Sequence, residues 1–123
     1  MILVDTSVWI EFLRGSSSAA RLASLLEDDA VILHPWVLGE LAVGHLGRNR
    51  SSMLRDLRLL PAAPVAADDR VLDLVDRRRL FGRGLSWVDV HMLAAALDAP
   101  ATLWSADRAL SSAASALGIS HSP

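Results

Sequence analysis

The chain contains no cysteine. That removes disulfides, thiolate metal sites and cysteine nucleophiles together, and a cytoplasmic protein is the simplest expectation. It contains no lysine either: all twelve basic residues are arginine. A phosphate-loop nucleotide hydrolase needs a lysine on the phosphates and a glycine-rich loop before it, and both are missing. Schiff-base chemistry is excluded for want of the amine. Phosphotransfer schemes that depend on a lysine ammonium are weakened for the same reason. No apolar run reaches the roughly 18 residues of a membrane span. The first residues lack the basic start and long apolar core of a signal peptide, because Asp5 interrupts them. Net charge is −2, so nucleic-acid binding must come from a local patch rather than a global field.

What remains is a chain of 123 residues, 52% apolar and 21% charged, which suits one globular domain over 1–123. No repeat, low-complexity tract or linker marks a second. The chain is organised around its first dozen residues. Ile2, Leu3 and Val4 form a short continuous apolar run, as expected of a strand buried on both faces. Asp5, Thr6 and Ser7 stop it and can start a helix, in which Val8, Trp9, Phe12 and Leu13 recur at helical spacing. Asp5 then stands at the carboxyl end of a strand, where open α/β sheets bind ligands. The competing reading makes it a helix cap.

Further along, Ser16, Ser17 and Ser18 read as a turn before a helix carrying Leu22, Leu25 and Leu26. Ala30, Val31, Ile32 and Leu33 read as a second strand, broken by His34 and Pro35. A third helix, from Trp36 to Leu46, is almost wholly apolar and is expected to be largely buried. Glu40 is the one acid inside it, and a buried carboxylate requires a partner; alternatively it lies on a narrow exposed stripe with His45 and Arg48. A polar loop over 47–52 precedes a helix bearing Leu54, Leu57 and Leu60. Val65 and Ala66 are a candidate edge strand, and Asp68 or Asp69 a cap for the helix through Leu74. Ser86-Trp87-Val88-Asp89 spells a capping box before the run from Met92 to Leu97. Ala101, Thr102, Leu103 and Trp104 make a plausible strand, Ser105-Ala106-Asp107 opens another helix, and Gly118-Ile119-Ser120 is a candidate last strand.

Strands alternating with helices predict a short, mainly parallel sheet covered on both faces, a three-layer α/β/α domain. Parallel strands put their carboxyl ends on one rim, so Asp5 and Asp107 share it, with Glu40 and Asp89 in helices that can reach it. Clustered carboxylates repel unless a positive charge sits among them. With no lysine and few arginines nearby, a divalent cation is the better partner, and all-oxygen ligands favour Mg²⁺ or Mn²⁺ over zinc. Such a site suits phosphoryl transfer with metal-activated water.

At this point the residues match a family. Asp5-Thr6-Ser7 after an apolar start, Glu40 in an early apolar helix, Asp89 in Leu85-Ser86-Trp87-Val88-Asp89, and Asp107 after a strand resemble the PIN-domain ribonucleases, and among them the VapC toxins. The resemblance covers essentially the whole chain, and its specificity lies in the ordered set of four acids. It implies a PIN-like fold and metal-dependent endoribonuclease activity. Asp5, Glu40, Asp89 and Asp107 then become catalytic, metal-binding acids, supported by the hydroxyls of Thr6 and Ser105. The family usually has threonine where Ser105 stands, which keeps the hydroxyl and alters only fine positioning. The resemblance further implies an RNA substrate, a homodimer and a cognate VapB-type antitoxin. The apolar Trp9, Phe12 and Leu13 suit helix-in-groove binding of such a partner as well as core packing. Arg48 and Arg50, with Arg55 and Arg58, and Arg77 and Arg83, with Arg78 and Arg79, are candidate RNA-backbone contacts. The plainer reading pairs them with Asp56, Asp73 and Asp76 on a solvated surface. Two rivals remain: a metal-dependent phosphatase or phosphotransferase with Asp5 as nucleophile, and a non-catalytic binding module that keeps its acids as caps.

Overall fold

The computed structural model describes residues 1–16 and 18–122; Ser17, in the expected serine turn, lies outside them. Strand β1 (Ile2–Val4) leads into α1 (Thr6–Leu13) and α2 (Ala19–Glu27). Strand β2 (Val31–Ile32) feeds α3 (Pro35–Val43), a 3₁₀ turn (Gly47–Asn49) and α4 (Arg50–Leu57). Then come α5 (Asp68–Arg78), α6 (Trp87–Asp98), β3 (Thr102–Trp104) and α7 (Arg108–Ala116). The strands lie in the order β2-β1-β3, all parallel. Leu3 faces Ile32 on one side and Leu103 on the other.

This is the three-layer α/β/α arrangement that the alternation of strands and helices predicts. All three residues of β1 are buried, and successive strand side chains point to opposite faces, so both faces of the sheet are covered. Helix α1 packs on α2 and α3, and α3 on α4, whereas α6 packs on β1, β3 and α5. In α6 every residue from Val90 to Ala96 is buried. Ala94, Ala95 and Ala96 are fully buried, and their small side chains let the helix backbone approach its neighbours closely.

Several local expectations are corrected. The strand expected at Val65 and Ala66 is absent; among the described residues, pairing beyond β2 is a single parallel bridge, Leu33 to Ala62. The opposite edge likewise ends in one bridge, Leu103 to Ser120. Helix α4 begins at Arg50, inside the expected polar loop. The cap of α5 is Ala67 rather than Asp68 or Asp69, and these two acids occupy its first turn, where the helix dipole favours negative charge. The largest departure is α3. It ends at Val43, and its buried residues are Val37 and Leu41. Val43 is 88% exposed. The helix packs on α1 and α4 along one stripe, so an all-apolar sequence here leaves part of its circumference to solvent.

Candidate active site

Asp5 is buried at 7% exposure, at the end of the central strand, and its N–H donates to the Trp104 carbonyl at 2.9 Å. It occupies the cap position of α1, yet its side chain makes no capping hydrogen bond. The carboxylate instead turns to the rim, where Oδ2 accepts from Ser7 Oγ at 2.7 Å and from Ser105 Oγ at 2.9 Å. Ser7 Oγ in turn accepts from the Ala106 N–H at 3.0 Å, and Ser105 Oγ from the Asp107 N–H at 3.0 Å. Two hydroxyls thus tie the end of β1 to the turn that follows β3. Parallel pairing makes this possible, because it brings the ends of β1 and β3 side by side.

The other three acids reach the rim differently. Asp107 caps α7, its Oδ2 accepting from the Leu110 N–H at 2.9 Å. Asp89 completes the capping box: Ser86 Oγ accepts from the Asp89 N–H at 3.1 Å, and Asp89 Oδ2 accepts from the Ser86 N–H at 2.9 Å. Glu40 is exposed rather than buried, and Thr6 Oγ1 donates to its Oε1 at 2.8 Å. The expected burial of Glu40 fails because α3 turns that face outward; its partner is a hydroxyl beside Asp5. In each acid the hydrogen bonds engage one carboxylate oxygen. Among the described residues, the second oxygen of each has no hydrogen-bond donor. Capping and a functional role are therefore compatible in Asp89 and Asp107.

Electrostatics links three of them. Burial raises the Asp89 carboxyl above the ordinary aspartate value, and the charges of Asp5 and Asp107 raise it further, against the lowering effect of the Ser86 hydrogen bonds. Like charges share a field here, as the rim argument requires. The ion pairs of the described residues are Arg70–Asp98 and Arg77–Asp73, beside a His91–Asp68 contact at 3.4 Å, and none of the three involves the four acids. The donor set is all oxygen, each acid has a second oxygen unengaged, and the repulsion has no basic partner. These features fit a hard divalent cation. Among the described residues, no three acids or histidines are already gathered tightly enough to hold one without adjustment.

The candidate arginines divide. Arg48 and Arg83 are exposed. Arg50 is exposed but engaged, with Nε and Nη2 donating to the Ala42 carbonyl at 3.3 and 2.8 Å, which ties the start of α4 to the end of α3. Arg77 pairs with Asp73 one helical turn away at 3.0 Å, the solvated arrangement weighed against RNA contact. Arg83 lines a shallow depression with Ala109, Ser112 and Ala113 of α7.

Two features exceed what the residues alone suggested. Ser7, read above only as part of a helix start, is as central to Asp5 as Ser105. An aromatic and imidazole cluster also joins α3 to α6. His34 and His91 are fully buried. Trp36 lies 4.1 Å and Trp87 4.7 Å from the His91 ring, centroid to centroid. The i, i+4 spacing of Trp87 and His91 was available in the sequence, but nothing there paired it with Trp36.

A PIN domain matches residues 2–116. Ribonuclease VapC32 of Mycobacterium tuberculosis, from strains CDC 1551 / Oshkosh and H37Rv, is 48% identical over 120 residues, which is 97% of this chain and 94% of that protein. The crystal structure of PAE2754 from Pyrobaculum aerophilum is similar with a TM-score of 0.52 at 21% identity, over 91% of this chain and 78% of that one, a likeness of fold alone.

Proposed function

This chain belongs to the PIN-domain family, in its VapC ribonuclease type, and on that premise we propose that it is a Mg²⁺- or Mn²⁺-dependent endoribonuclease, the toxin of a toxin–antitoxin pair. The observation that carries the reading is the shared field of Asp5, Asp89 and Asp107. The charges of Asp5 and Asp107, on two other segments, both bear on the Asp89 carboxyl, and no ion pair among the described residues involves any of the three. A fold that needed only caps would gain nothing by bringing them together, since like charges are destabilising.

Asp5, Asp89 and Asp107, with Glu40, would hold the ion through their unengaged oxygens. When bound, the ion lowers the pKa of a water and offsets charge on the scissile phosphate. The chain's own residues do the positioning. Ser7 and Ser105 hold the Asp5 carboxylate in one orientation. The two helix caps do the same for Asp89 and Asp107, and Thr6 orients Glu40. Such supporting bonds commonly matter 10- to 100-fold in metal affinity or activity. Exposed Arg48 and Arg83 suit contacts to the RNA backbone.

An antitoxin of VapB type is the partner we propose. Trp9, Phe12, Leu26 and Leu60 line an apolar groove between α1, α2 and the end of α4, and Leu13 and Met53 continue it into the cleft that holds Glu40 and Arg14. An amphipathic helix laid in the groove would reach the acids. We also propose a single-domain, cytoplasmic protein acting as a homodimer.

The test is cleavage of a mixed-sequence RNA with Mg²⁺, Mn²⁺ or chelator, alongside calorimetric titration of Mg²⁺ into the wild type and the Asp5→Asn and Asp107→Asn variants. Metal-dependent cleavage lost in both variants, with weakened ion binding, is the expected result. Cleavage unaffected by chelator, or undiminished ion binding by both variants, would refute the shared site.

A further inference from the structure

Helix α1 bears on Glu40 from both of its ends. Thr6 opens the helix and donates to Glu40 Oε1 at 2.8 Å. Arg14 closes it as the C-cap, its own N–H donating to the Ile10 carbonyl at 3.1 Å. Helical side chains lean toward the N-terminus of their helix, so Arg14 leans back toward the rim. Arg14 and Glu40 line one cavity of about 180 Å³, whose walls include Ile10, Leu13, Leu41 and Met53. A guanidinium and a carboxylate thus share a small cavity, yet no ion pair among the described residues joins them. Glu40 keeps the Thr6 hydroxyl as its partner. Glu11, three residues before Arg14, takes the Ser18 hydroxyl at 3.5 Å. Among the described residues the arginine side chains that engage a carbonyl or a carboxylate are Arg50, Arg70 and Arg77. An exposed arginine without a partner is ordinary in itself. Arg14 differs in sharing a cleft with one of the four acids, against apolar walls that lower the local dielectric and strengthen a charge pair made there.

We propose that Arg14 is a phosphate-binding residue of the ribonuclease site, its guanidinium holding a phosphate that neighbours the scissile one in the cleft whose other wall is Glu40. The inference rests on the ribonuclease reading above. Four carboxylates repel a polyanion, so the backbone needs a cation where it passes them. Arg14 supplies one on the Glu40 side of the site. The guanidinium fork matches two phosphate oxygens at once. The cavity is smaller than the roughly 300–1,000 Å³ of small-molecule pockets, which suits one phosphodiester group rather than a whole ligand. With Glu40 engaged by Thr6, the guanidinium keeps its charge for the incoming anion.

The probe is a labelled RNA 20-mer that the wild type cuts at one mapped linkage. Affinity is measured by anisotropy at stepped salt, in chelator and in Ca²⁺, for the full-length wild type, Arg14→Gln, Arg14→Lys and Arg21→Gln. Arg21, on α2, does not line the cavity and controls for the loss of one charge. Arg14→Gln should weaken binding about 10- to 100-fold and reduce the salt slope by about 0.7–1. Arg14→Lys should keep the slope and lose part of the affinity, because it keeps the charge without the fork; it carries the test by affinity if Gln disturbs the helix end. Arg21→Gln should stay near wild type. A set of 20-mers, each with one neutral methylphosphonate linkage, then locates the contact. At one linkage beside the cut, neutralisation should cost the wild type what Arg14→Gln costs, and cost Arg14→Gln nothing further. Affinity and slope unchanged in Arg14→Gln overturn the proposal and leave the cleft to the antitoxin. Equal losses in Arg21→Gln, or penalties that add at every linkage, also overturn it while the ribonuclease reading stands. A wild type that neither binds nor cleaves RNA overturns the ribonuclease reading and this inference with it.

Discussion

Replacing Asp89 by Asn and by Ala separates its two roles. Its Oδ2 accepts from the Ser86 N–H at 2.9 Å, and a bond of this kind at a helix start contributes about 0.5–2 kcal/mol. Asn keeps an acceptor oxygen in that position and Ala does not. Burial and the charges of Asp5 and Asp107 also raise the Asp89 carboxyl above the ordinary aspartate value of 3.8. An acid that binds its proton more tightly when folded makes the fold less stable as pH rises from the unfolded value through the raised one. At neutral pH, without metal, the ionised carboxylate is therefore a cost, which Asn removes while retaining the cap. Asp89→Asn should unfold at or above the wild-type temperature in chelator, and Asp89→Ala below Asp89→Asn by about 1 kcal/mol, or roughly 3–6 °C for a domain of this size. Mg²⁺ should raise the wild-type midpoint by mass action and raise either variant's much less. Cleavage should fall by several orders of magnitude in both. The assays are thermal circular dichroism with and without Mg²⁺, and single-turnover RNA cleavage. A folded Asp89→Asn protein that cuts RNA at the wild-type rate would return Asp89 to a cap. An Asp89→Asn protein clearly less stable than wild type in chelator would refute the account of crowded charges.

Ser105→Ala removes one hydroxyl from Asp5 Oδ2 and the acceptor of the Asp107 N–H; activity should fall about 10- to 100-fold, with Ser105→Thr close to wild type, as single-turnover rates would show. Thr6→Val leaves Glu40 Oε1 without its donor and should cost well under 1 kcal/mol at this exposed site while weakening Mg²⁺ binding about tenfold by calorimetry. Burial, and the neighbouring His91, lower His34 from 6.5 to about 4, so the fold loses roughly 3 kcal/mol as pH falls across that window, because the unfolded chain takes up the proton first. His34→Asn, which can still accept the Trp36 N–H that Nδ1 now accepts at 3.0 Å, should flatten that acid limb in urea titrations at stepped pH. Neutralising Arg48 and Arg83 together should reduce the salt slope of RNA binding by up to about 2, whereas Arg77→Gln, which breaks an exposed pair with Asp73, should change stability by less than about 1 kcal/mol.

Much of what is local to the chain was legible in its sequence, although the start of α4 and the cap of α5 were not. Three apolar residues before Asp5 make a strand buried on both faces. Ser86 and Asp89 at capping-box spacing make a helix start, and the ordered acids identify the family. These features depend on periodicity, backbone dihedrals and hydrogen bonds between residues a few positions apart, which the sequence alone determines. What depends on neighbours far along the chain was decided only by tertiary structure. Whether Asp5 caps α1 turned on Ser7 together with Ser105, 100 residues away, whose hydroxyls hold the carboxylate at the rim. Glu40 looked stranded in an apolar helix because apolar composition does not say which side of α3 meets α1 and α4. Its partner is Thr6, 34 residues earlier. The convergence of Trp36 and Trp87 on His91 was invisible for the same reason. Side chains from α3 and α6 meet only once the parallel sheet brings the end of β2 and the start of α6 to one rim, and no spacing along the chain encodes that distance.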